Sequence, residues 1–459
     1  MNFRPVFIRC FAVAALCSAC SNTGARASGA GPSTANRVPA GLDPDVLKKL
    51  QALSPDELPQ APADPTNKYL ADPRAAEFGK KLFFETRFSG QLLDEANNGD
   101  PGTLGLQGET GKVACASCHV PPTEFSDTRS SRGQISLASG WTHRRAMSLL
   151  DVNQVQLLNW DGRHDAAFNQ PFTPIEDPIE FNSSRLFVAQ QIARLYRSDY
   201  EAIFGPMPSL TQYAAVDPSD AGCNVLPTDQ VHGSCVKTGY DDPDVTRVVV
   251  NMGKAIEAYT RQLSCGQSRF DSWMHGDATA LSADEQGGAQ LFVGKAACSN
   301  CHSGPFLTDH YFHNIGLHPD FTFFVTPIYD GGASDGLPAM VADPLNSKGK
   351  YSDGYDGRID SLPKTFTSLT GAFATPSLRC VNQRPSFTHT GQFRSLEDVV
   401  IFFNNGGDTS GYPGISENAP RNLTDDERAQ LVAFLRALDG PGPDADLIAP
   451  PDLAPDAGP

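Results

Sequence analysis

The chain has 459 residues and a formal net charge of −17, with 53 Asp and Glu against 36 Lys and Arg. This length is enough for two or more domains that each bury a core. The negative charge argues against nucleic acid and anionic membrane surfaces as partners, whereas a redox protein with a locally complementary patch remains compatible with it.

The N-terminus has the pattern of an export signal. Arg4 and Arg9 give it a basic start, the apolar run over residues 10–17 is too short to span a bilayer, and small residues follow. Cleavage before Cys20 would leave a lipidated cysteine, and Ala25-Arg26-Ala27 offers a competing site. We favour the first, which predicts a lipid-anchored protein of the periplasm or cell envelope.

Segments rich in Pro, Ala, Gly and Asp flank the central part of the chain. After an export signal over residues 1–20, residues 21–66 are predicted to form a flexible tether. Residues 441–459 have the same character and are predicted to be a disordered tail.

The readable elements between these segments are helices. Helix starts are predicted at Asp72-Pro73 and at the capping boxes Ser282-x-x-Glu285 and Thr424-x-x-Glu427. Residues 184–204 and 244–263 also read as helical, while strand-like alternation is scarce. With 41 glycines and 36 prolines, much of the remainder must be loop wrapped around a group that supplies part of the core.

The most informative motif is Cys-x-x-Cys-His, which occurs at residues 115–119 and again at residues 298–302. It is the attachment signature of c-type haem: two thiols on one helical turn can add to the two vinyl groups of a porphyrin, while the adjacent imidazole binds iron. The motifs predict two covalent haem c groups. The residues that would hold them are Cys115, Cys118, His119, Cys298, Cys301 and His302, with His119 and His302 as iron ligands.

Other uses of the two motifs fit less well. A zinc site needs four ligands, and neither half of the chain supplies a matching second pair. A thioredoxin-like pair would end a strand in a βαβ unit and would lack the following histidine. Of the remaining cysteines, Cys223 and Cys235 are interpreted as a local disulfide. Cys265 and Cys380 are either a long-range disulfide or two buried thiols.

Residues outside the haem motifs resemble the bacterial di-haem cytochrome c peroxidase and MauG superfamily. The resemblance covers roughly residues 67–440, with insertions near 207–243 and 320–365. It rests on Trp160-Asp161-Gly162-Arg163, Gln170, Pro174-Ile175-Glu176, Glu180-Phe181, Ser268-Arg269-Phe270-Asp271, Gly287 to Phe292, His313-Asn314-Ile315-Gly316, Thr375-Pro376-Ser377-Leu378-Arg379 and His389-x-Gly391.

The resemblance implies a mainly α fold of two cytochrome-c-like haem domains with long irregular loops. Residues 67–243 would form the N-terminal domain, where peroxide reacts, and residues 244–440 the C-terminal domain, which transfers electrons.

The resemblance also assigns roles to four side chains. Trp160 would lie between the haems as an electron or hole conduit. Glu180 would be the carboxylate that takes a proton from peroxide and returns it to the leaving oxygen. Gln170 and Pro174 would line the same pocket.

The sequence departs from the family pattern at three places. Classical members have a distal histidine before the segment that is here Arg144 to Leu149, and the residue available nearby is His143. The sixth ligand of the C-terminal haem, Met or Tyr in the family, falls on Phe403, which cannot bind iron. That haem is then five-coordinate, or His318 or Met340 reaches it from the inserted loop.

The third departure concerns a calcium ion, which the resemblance allows between the two domains. In the family an asparagine side chain and backbone carbonyls hold it, and the matching side chain here is Arg145.

Three functions compete on this basis. The leading prediction is an exported peroxidase that reduces H₂O₂ to water with electrons from a small c-type cytochrome or similar donor, relayed from the C-terminal to the N-terminal haem. The second is a MauG-like oxidase that uses peroxide to modify residues of a partner protein. The third is a non-catalytic electron-transfer cytochrome, against which Phe403 argues because it leaves an iron open.

Overall fold

The computed structural model describes residues 41–129, 135–222, 242–318, 330–408 and 413–455. In these ranges the fold is mainly α-helical, as predicted, and long irregular segments connect the helices. The α-helices are α1 (Pro44–Leu53), α2 (Pro73–Phe84), α3 (Cys115–Cys118), α4 (Phe172–Glu176), α5 (Arg185–Leu195), α6 (Arg197–Phe204), α7 (Pro243–Thr260), α8 (Arg269–Met274), α9 (Ala283–Val293), α10 (Ala333–Ala342), α11 (Leu396–Asn405), α12 (Asp425–Arg436) and α13 (Ala445–Ile448).

Other regular structure in the described ranges is short. Strands β1 (Phe312–His313) and β2 (Phe373–Ala374) pair antiparallel, with Phe312 opposite Ala374. Single turns of 3₁₀ helix occur at Pro121–Thr123, Val152–Gln154, Pro218–Asp220, Cys298–Asn300 and Thr367–Leu369.

The predicted helix starts are confirmed, each by the side chain that caps it. The Asp72 carboxylate accepts a hydrogen bond from the Arg74 amide ahead of α2. At α9 the Glu285 amide donates to the Ser282 hydroxyl, and the Ser282 amide donates to the Glu285 carboxylate. Thr424 and Glu427 make the same reciprocal pair at α12. The helical stretch predicted over residues 184–204 is two helices, because the chain breaks at Tyr196 between α5 and α6.

The first core is built by α2, α5 and α7, and the first Cys-x-x-Cys-His motif lies at its edge. Helices α2 and α7 approach closely at Gly79, where a Cβ atom would lie 1.8 Å from the Ala255 carbonyl oxygen. Cys115 and Cys118 pack against this core as partly buried side chains. The buried side chains of α7 belong to this first core, although the boundary predicted between residues 243 and 244 assigns nearly all of the helix to the C-terminal domain.

The second core is built by α1, α8, α9 and α12, and Cys298 packs against it. A third, smaller cluster forms around α10 and includes Phe312 and Met340. Each haem motif thus has its own core. A disulfide links Cys265 to Cys380, and both cysteines are buried in the first core. It decides the alternative that the sequence left open.

Both flanking segments are more ordered than predicted. Within the predicted tether, α1 is a regular helix whose Leu50 and Leu53 are buried in the second core. Within the predicted disordered tail, α13 packs Leu447 and Ile448 against the first core. The N-terminal end of the described chain therefore packs on the second core, and the C-terminal end packs on the first core.

Several predictions lie outside the described residues. They are the export signal, the lipid anchor at Cys20 and the disulfide between Cys223 and Cys235. Among the helices that the structure does describe, none combines the length and the apolar character needed to cross a membrane.

Candidate functional site

A cavity of about 480 Å³ opens beside the first Cys-x-x-Cys-His motif. The single turn of α3 places Cys115 and Cys118 on one face, and His119 follows directly, so that all three line the cavity. Neither cysteine takes part in a disulfide. The volume lies within the range of sites that enclose organic ligands and cofactors.

The His119 ring is oriented by backbone carbonyls. Its Nδ1 lies 2.8 Å from the Met147 carbonyl oxygen and 3.3 Å from that of Phe125. This contact makes Nδ1 the protonated nitrogen and leaves Nε2 for a metal. Burial lowers the pKa of His119, so the imidazole is neutral at pH 7, as a metal ligand must be.

The four side chains that the resemblance singles out line this same cavity. Gln170 lines it from the segment just before α4, Pro174 from α4 itself, and Glu180 from the loop that follows α4. The turn between them is closed by a hydrogen bond of 3.0 Å from the Phe181 amide to the Pro174 carbonyl oxygen. Trp160 forms part of the wall. The structure thus brings together residues that are spread over more than sixty positions of sequence.

The Glu180 carboxyl has an unusual protonation equilibrium. Burial raises its pKa to about 7, and the nearby Asp177 adds to the rise, while Arg163 offsets part of it. Near neutral pH the carboxyl and carboxylate forms are therefore both populated. Such a group can accept a proton and give it back without a large free-energy cost in either direction.

Trp160 is buried and contacts both halves of the molecule. Its Nε1 donates to the Arg145 carbonyl oxygen at 2.7 Å, and its own carbonyl oxygen accepts from the Ala374 amide at 2.8 Å. The indole also lies edge-on to the His389 ring, with centroids 6.2 Å apart. The tryptophan is thus fixed at the junction between the half that carries the first motif and the half that carries the second.

The second motif is built like the first. Cys298 and Cys301 take no part in a disulfide, and a 3₁₀ turn carries them. Nδ1 of His302 lies 2.9 Å from the Leu307 carbonyl oxygen, which again leaves Nε2 for a metal. Burial lowers the pKa of His302 to about 4.

Three residues bear on the sixth ligand of the second haem. Phe403 lies on α11 one turn after Val399, whose side chain packs in the cluster that contains Cys298. Met340 is fully buried in the cluster around α10, which contains no residue of the second motif. His318 lies beside the His389-x-Gly391 segment, since its carbonyl oxygen accepts from Gln392.

His143, the residue nearest to the distal histidine of the family pattern, is exposed at the cavity wall. Its neighbour Arg144 is fixed by ion pairs to Asp161 and Asp330, at 2.7 and 2.6 Å. These pairs tie the Trp160-Asp161-Gly162-Arg163 segment to the second half of the chain.

The residues at the calcium position do not suit calcium. Arg145 is buried, and its Nε donates to the Thr388 carbonyl oxygen at 3.2 Å. Burial lowers the pKa of Arg145, and a second buried guanidinium, that of Arg384, is close enough to lower it further. Calcium is bound by carboxylate and carbonyl oxygens, and a fixed positive charge at the site repels it.

Two residues of the cavity region were missed by the sequence analysis. His389 was part of the family match but received no role, although its ring stacks on Phe373 at 3.6 Å between centroids and adjoins Trp160. Arg384 lines the cavity, and no feature of the sequence distinguishes it from other arginines.

The residues present therefore fit two covalently attached haems. Four thiols outside disulfides stand in two pairs, and each pair is followed by a histidine with Nδ1 engaged and Nε2 available.

Comparison with known proteins agrees with this arrangement. A family model described as di-haem cytochrome c peroxidase matches residues 73–279. The chain is 28% identical to the methylamine utilization protein MauG of Methylorubrum extorquens over 415 residues, which is 90% of this chain and 89% of the relative. It is 29% identical to the cytochrome-c peroxidase IdrP1 of Denitromonas iodatirespirans over 403 residues, or 83% and 85% of the two chains.

A solved structure shares the fold. The diheme peroxidase BthA of Burkholderia thailandensis superposes with a TM-score of 0.56 at 23% identity, covering 88% of this chain and 95% of that one.

Proposed function

Because this chain belongs to the superfamily of bacterial di-haem cytochrome c peroxidases and MauG, we propose that it is an exported peroxidase that reduces H₂O₂ to water with electrons from a small redox protein. Its membership makes it an oxidoreductase and implies two c-type haems. The observation that carries the proposal is the convergence of Glu180, Gln170, Pro174 and Trp160 on one cavity with the first Cys-x-x-Cys-His motif.

Each motif would hold one haem, through two thioether bonds and one imidazole. When bound, the haems supply the iron that reacts with peroxide and a place to store the two electrons that each peroxide consumes.

Glu180 would move the protons of the reaction. With a pKa of about 7 it takes a proton from the peroxide oxygen that enters the cavity and donates it to the oxygen that leaves as water. Burial keeps this carboxyl from being permanently charged, and the negative charge of Asp177 adds to the rise in the Glu180 pKa.

Gln170 and Pro174 would shape the space next to Glu180. The Gln170 amide can donate to a bound oxygen species and orient it, while Pro174 offers no amide proton and narrows the wall. Pro174 lies in α4, and Gln170 lies two residues before this helix. The hydrogen bond from the Phe181 amide to the Pro174 carbonyl oxygen holds α4 against the Glu180 loop.

Trp160 would conduct electrons or holes between the two halves. It is buried, its indole proton is engaged by the Arg145 carbonyl oxygen, and it contacts residues of both halves. An aromatic side chain fixed in this way has little freedom to reorganise when its charge changes.

The proposal also names an electron donor for the protein and a location in the cell. A small c-type cytochrome, or another periplasmic redox protein, would deliver the electrons. The protein would act in the periplasm or cell envelope, held to the membrane by a lipid on Cys20.

The test is peroxide-dependent oxidation of a reduced small c-type cytochrome by the purified protein, after its haems have been counted. Turnover of about 1 to 10³ s⁻¹ would support the peroxidase, since this is the ordinary range of enzymes. Negligible turnover by protein that carries both haems would contradict it.

A second candidate is a MauG-like oxidase that modifies residues of a partner protein. It is favoured by the exposed side chain of His143, at the position nearest to the distal histidine of classical peroxidases. The run of Gln170, Pro174 and Glu180, which resembles that of MauG, also favours it. Peroxide consumption that leaves the reduced cytochrome unchanged and oxidises side chains of an added protein would favour this candidate.

A further inference from the structure

Two buried arginines in the cavity wall form no ion pair among the described residues. Arg145 is 3% exposed and Arg384 is 6% exposed, and both line the cavity. In the part of the chain that the structure describes, neither guanidinium forms an ion pair with a carboxylate. Burying a cation in this way is costly unless an anion reaches it.

Their hydrogen bonds go to neutral groups. Arg145 donates from Nε to the Thr388 carbonyl oxygen at 3.2 Å and from Nη1 to the Ser126 hydroxyl at 3.4 Å. Arg384 donates from Nη2 to the Arg379 carbonyl oxygen at 2.9 Å, and its buried Nε has no partner among the described residues. Donors thus remain for an acceptor inside the cavity.

The nearby carboxyl groups do not supply the missing charge. Asp127 is already paired with Arg129 at 3.4 Å. Burial raises the pKa of Glu124 to about 7, so this carboxyl loses part of its negative charge near neutral pH. Burial also raises the pKa of Asp151, whose carboxylate accepts a hydrogen bond from the Ser264 hydroxyl at 2.6 Å. Asp439 attracts Arg384 less strongly than Glu124 and Asp151 do.

The two cations also oppose one another. Burial lowers the pKa of Arg145 to about 9, and repulsion from Arg384 contributes to the change. Burial likewise lowers the pKa of Arg384 to about 10. An anionic group in the cavity would form charge-assisted hydrogen bonds with both guanidinium groups and offset their repulsion.

We propose that Arg145 and Arg384 receive the propionate carboxylates of haem and that Arg145 takes the place of the calcium ion which the resemblance allows. A porphyrin fixed through Cys115 and Cys118 fills the cavity that the two arginines line, and its propionates are the carboxylates available there. The planar guanidinium fork matches a carboxylate with two parallel hydrogen bonds, which a lysine or a hydrated metal ion cannot provide.

The inference rests on haem attachment, which is part of the proposed function, but not on the choice between peroxidase and modifying oxidase. It has two consequences. The protein needs no calcium, because a fixed organic cation already occupies the position. The reduction potential of the adjacent haem falls when a guanidinium is removed, because a nearby positive charge favours the reduced iron.

The experiment uses the full-length, haem-loaded protein, with two haems per chain verified first by the pyridine haemochrome assay. Calcium is measured by elemental analysis, melting is followed with and without EGTA, and midpoint potentials are measured by spectroelectrochemistry. The variants are Arg145→Met, Arg145→Lys and Arg384→Met. Arg197→Met is the matched control, since it removes the same charge from a side chain that is half exposed on α6.

We expect wild-type protein without bound calcium and with the same melting temperature in EGTA. Arg145→Met and Arg384→Met should lower one midpoint potential relative to Arg197→Met, and Arg145→Lys should lower it less. One equivalent of retained calcium, or melting that EGTA lowers, would overturn the replacement of calcium. Potentials equal to those of the control in both methionine variants would overturn the contact with the propionates.

These outcomes are separate from those of the proposed function. A protein with two haems and shifted potentials but no peroxide turnover would contradict the peroxidase and leave the arginine site intact. If Arg145→Met does not fold, Arg145→Lys and Arg384→Met still decide the question.

Discussion

Glu180 shows how its surroundings change the protonation of one side chain. An ordinary glutamate is fully ionised at pH 7, but burial and Asp177 raise the pKa of Glu180 to about 7. Below this pH the carboxyl is protonated and cannot take a proton from peroxide, so activity should fall as the pH is lowered through 7.

The first prediction concerns the Glu180→Gln variant. We expect it to keep both haems but to slow peroxide cleavage by about 10² or more, because an amide cannot accept the proton. The pH dependence near 7 should disappear with it. Stopped-flow measurement at pH 6 to 8 tests both effects, and turnover equal to that of the wild type would remove the role assigned to Glu180.

A neighbouring substitution gives a matched control. Asp177→Asn removes a negative charge that raises the pKa of Glu180, so the inflection should move to lower pH while the maximal rate stays near that of the wild type. A shift to higher pH would contradict the assigned cause.

The second prediction concerns Trp160→Phe. Loss of the indole should slow electron delivery from a reduced cytochrome, while binding of peroxide is retained. The Arg145 carbonyl oxygen loses its donor, which costs about 1 to 3 kcal/mol of stability. Trp273→Phe, at a buried tryptophan of the second core, serves as the control for stability. Cytochrome oxidation by Trp160→Phe at the wild-type rate would exclude the conduit.

At the scale of elements, helix α9 depends on two adjacent glycines that differ in their surroundings. A Cβ on Gly288 would lie 2.0 Å from the Gln430 backbone carbonyl oxygen of α12, whereas one on Gly287 would meet only the end of the Gln430 side chain at 3.0 Å. The close crossing of α9 and α12 therefore requires glycine at position 288, whereas position 287 can accept a larger residue.

The third prediction compares the two alanine variants. Gly288→Ala should destabilise the protein by about 1 to 3 kcal/mol, because the helices must separate. Gly287→Ala should be neutral or stabilising by about 0.5 to 1 kcal/mol, because alanine favours the helix. Urea denaturation of the haem-loaded variants measures both changes in the free energy of unfolding. Equal changes would show that the close approach of α9 and α12 does not require glycine at position 288.

At the scale of the whole molecule, the ends of the described chain hold the two halves together. Helix α1 covers the second core, and the segment after α12 returns to the first. Two hydrogen bonds fix this segment to the first half. The Tyr259 hydroxyl donates to the Leu447 carbonyl oxygen at 2.7 Å, and the Arg87 guanidinium donates to the Ala454 carbonyl oxygen at 2.9 Å.

The fourth prediction is that the tail stabilises the fold. Deleting residues 443–459 exposes the apolar surface under Leu447 and Ile448, at a cost of about 2 to 4 kcal/mol. The melting temperature of the haem-loaded protein should fall by several degrees. Deletion of residues 456–459 alone is the control, and an unchanged melting temperature in the longer deletion would mean that the tail is dispensable.

The sequence by itself determined the haem motifs, the helix starts and the mainly α fold. These features depend on residues close together in the chain: two thiols and a histidine within five positions, or a cap and its partner three positions apart. The family resemblance predicted the site residues Trp160, Gln170, Pro174 and Glu180. Local sequence patterns do not show that these residues come together in one cavity.

Only the tertiary structure decided what depends on distant segments. The pairing of Cys265 with Cys380 spans 115 positions, and α7 joins the first core through its contact with α2. Composition predicted flexible or disordered segments at both flanks. The structure instead packs a few apolar residues of each flank, such as Leu50 and Leu447, against a core surface. That surface is formed by residues distant in sequence, so composition does not reveal it. The charges of buried side chains also depend on the tertiary structure. Burial and neighbouring residues that only folding brings near set the protonation of Glu180 and the hydrogen bonding of Arg384.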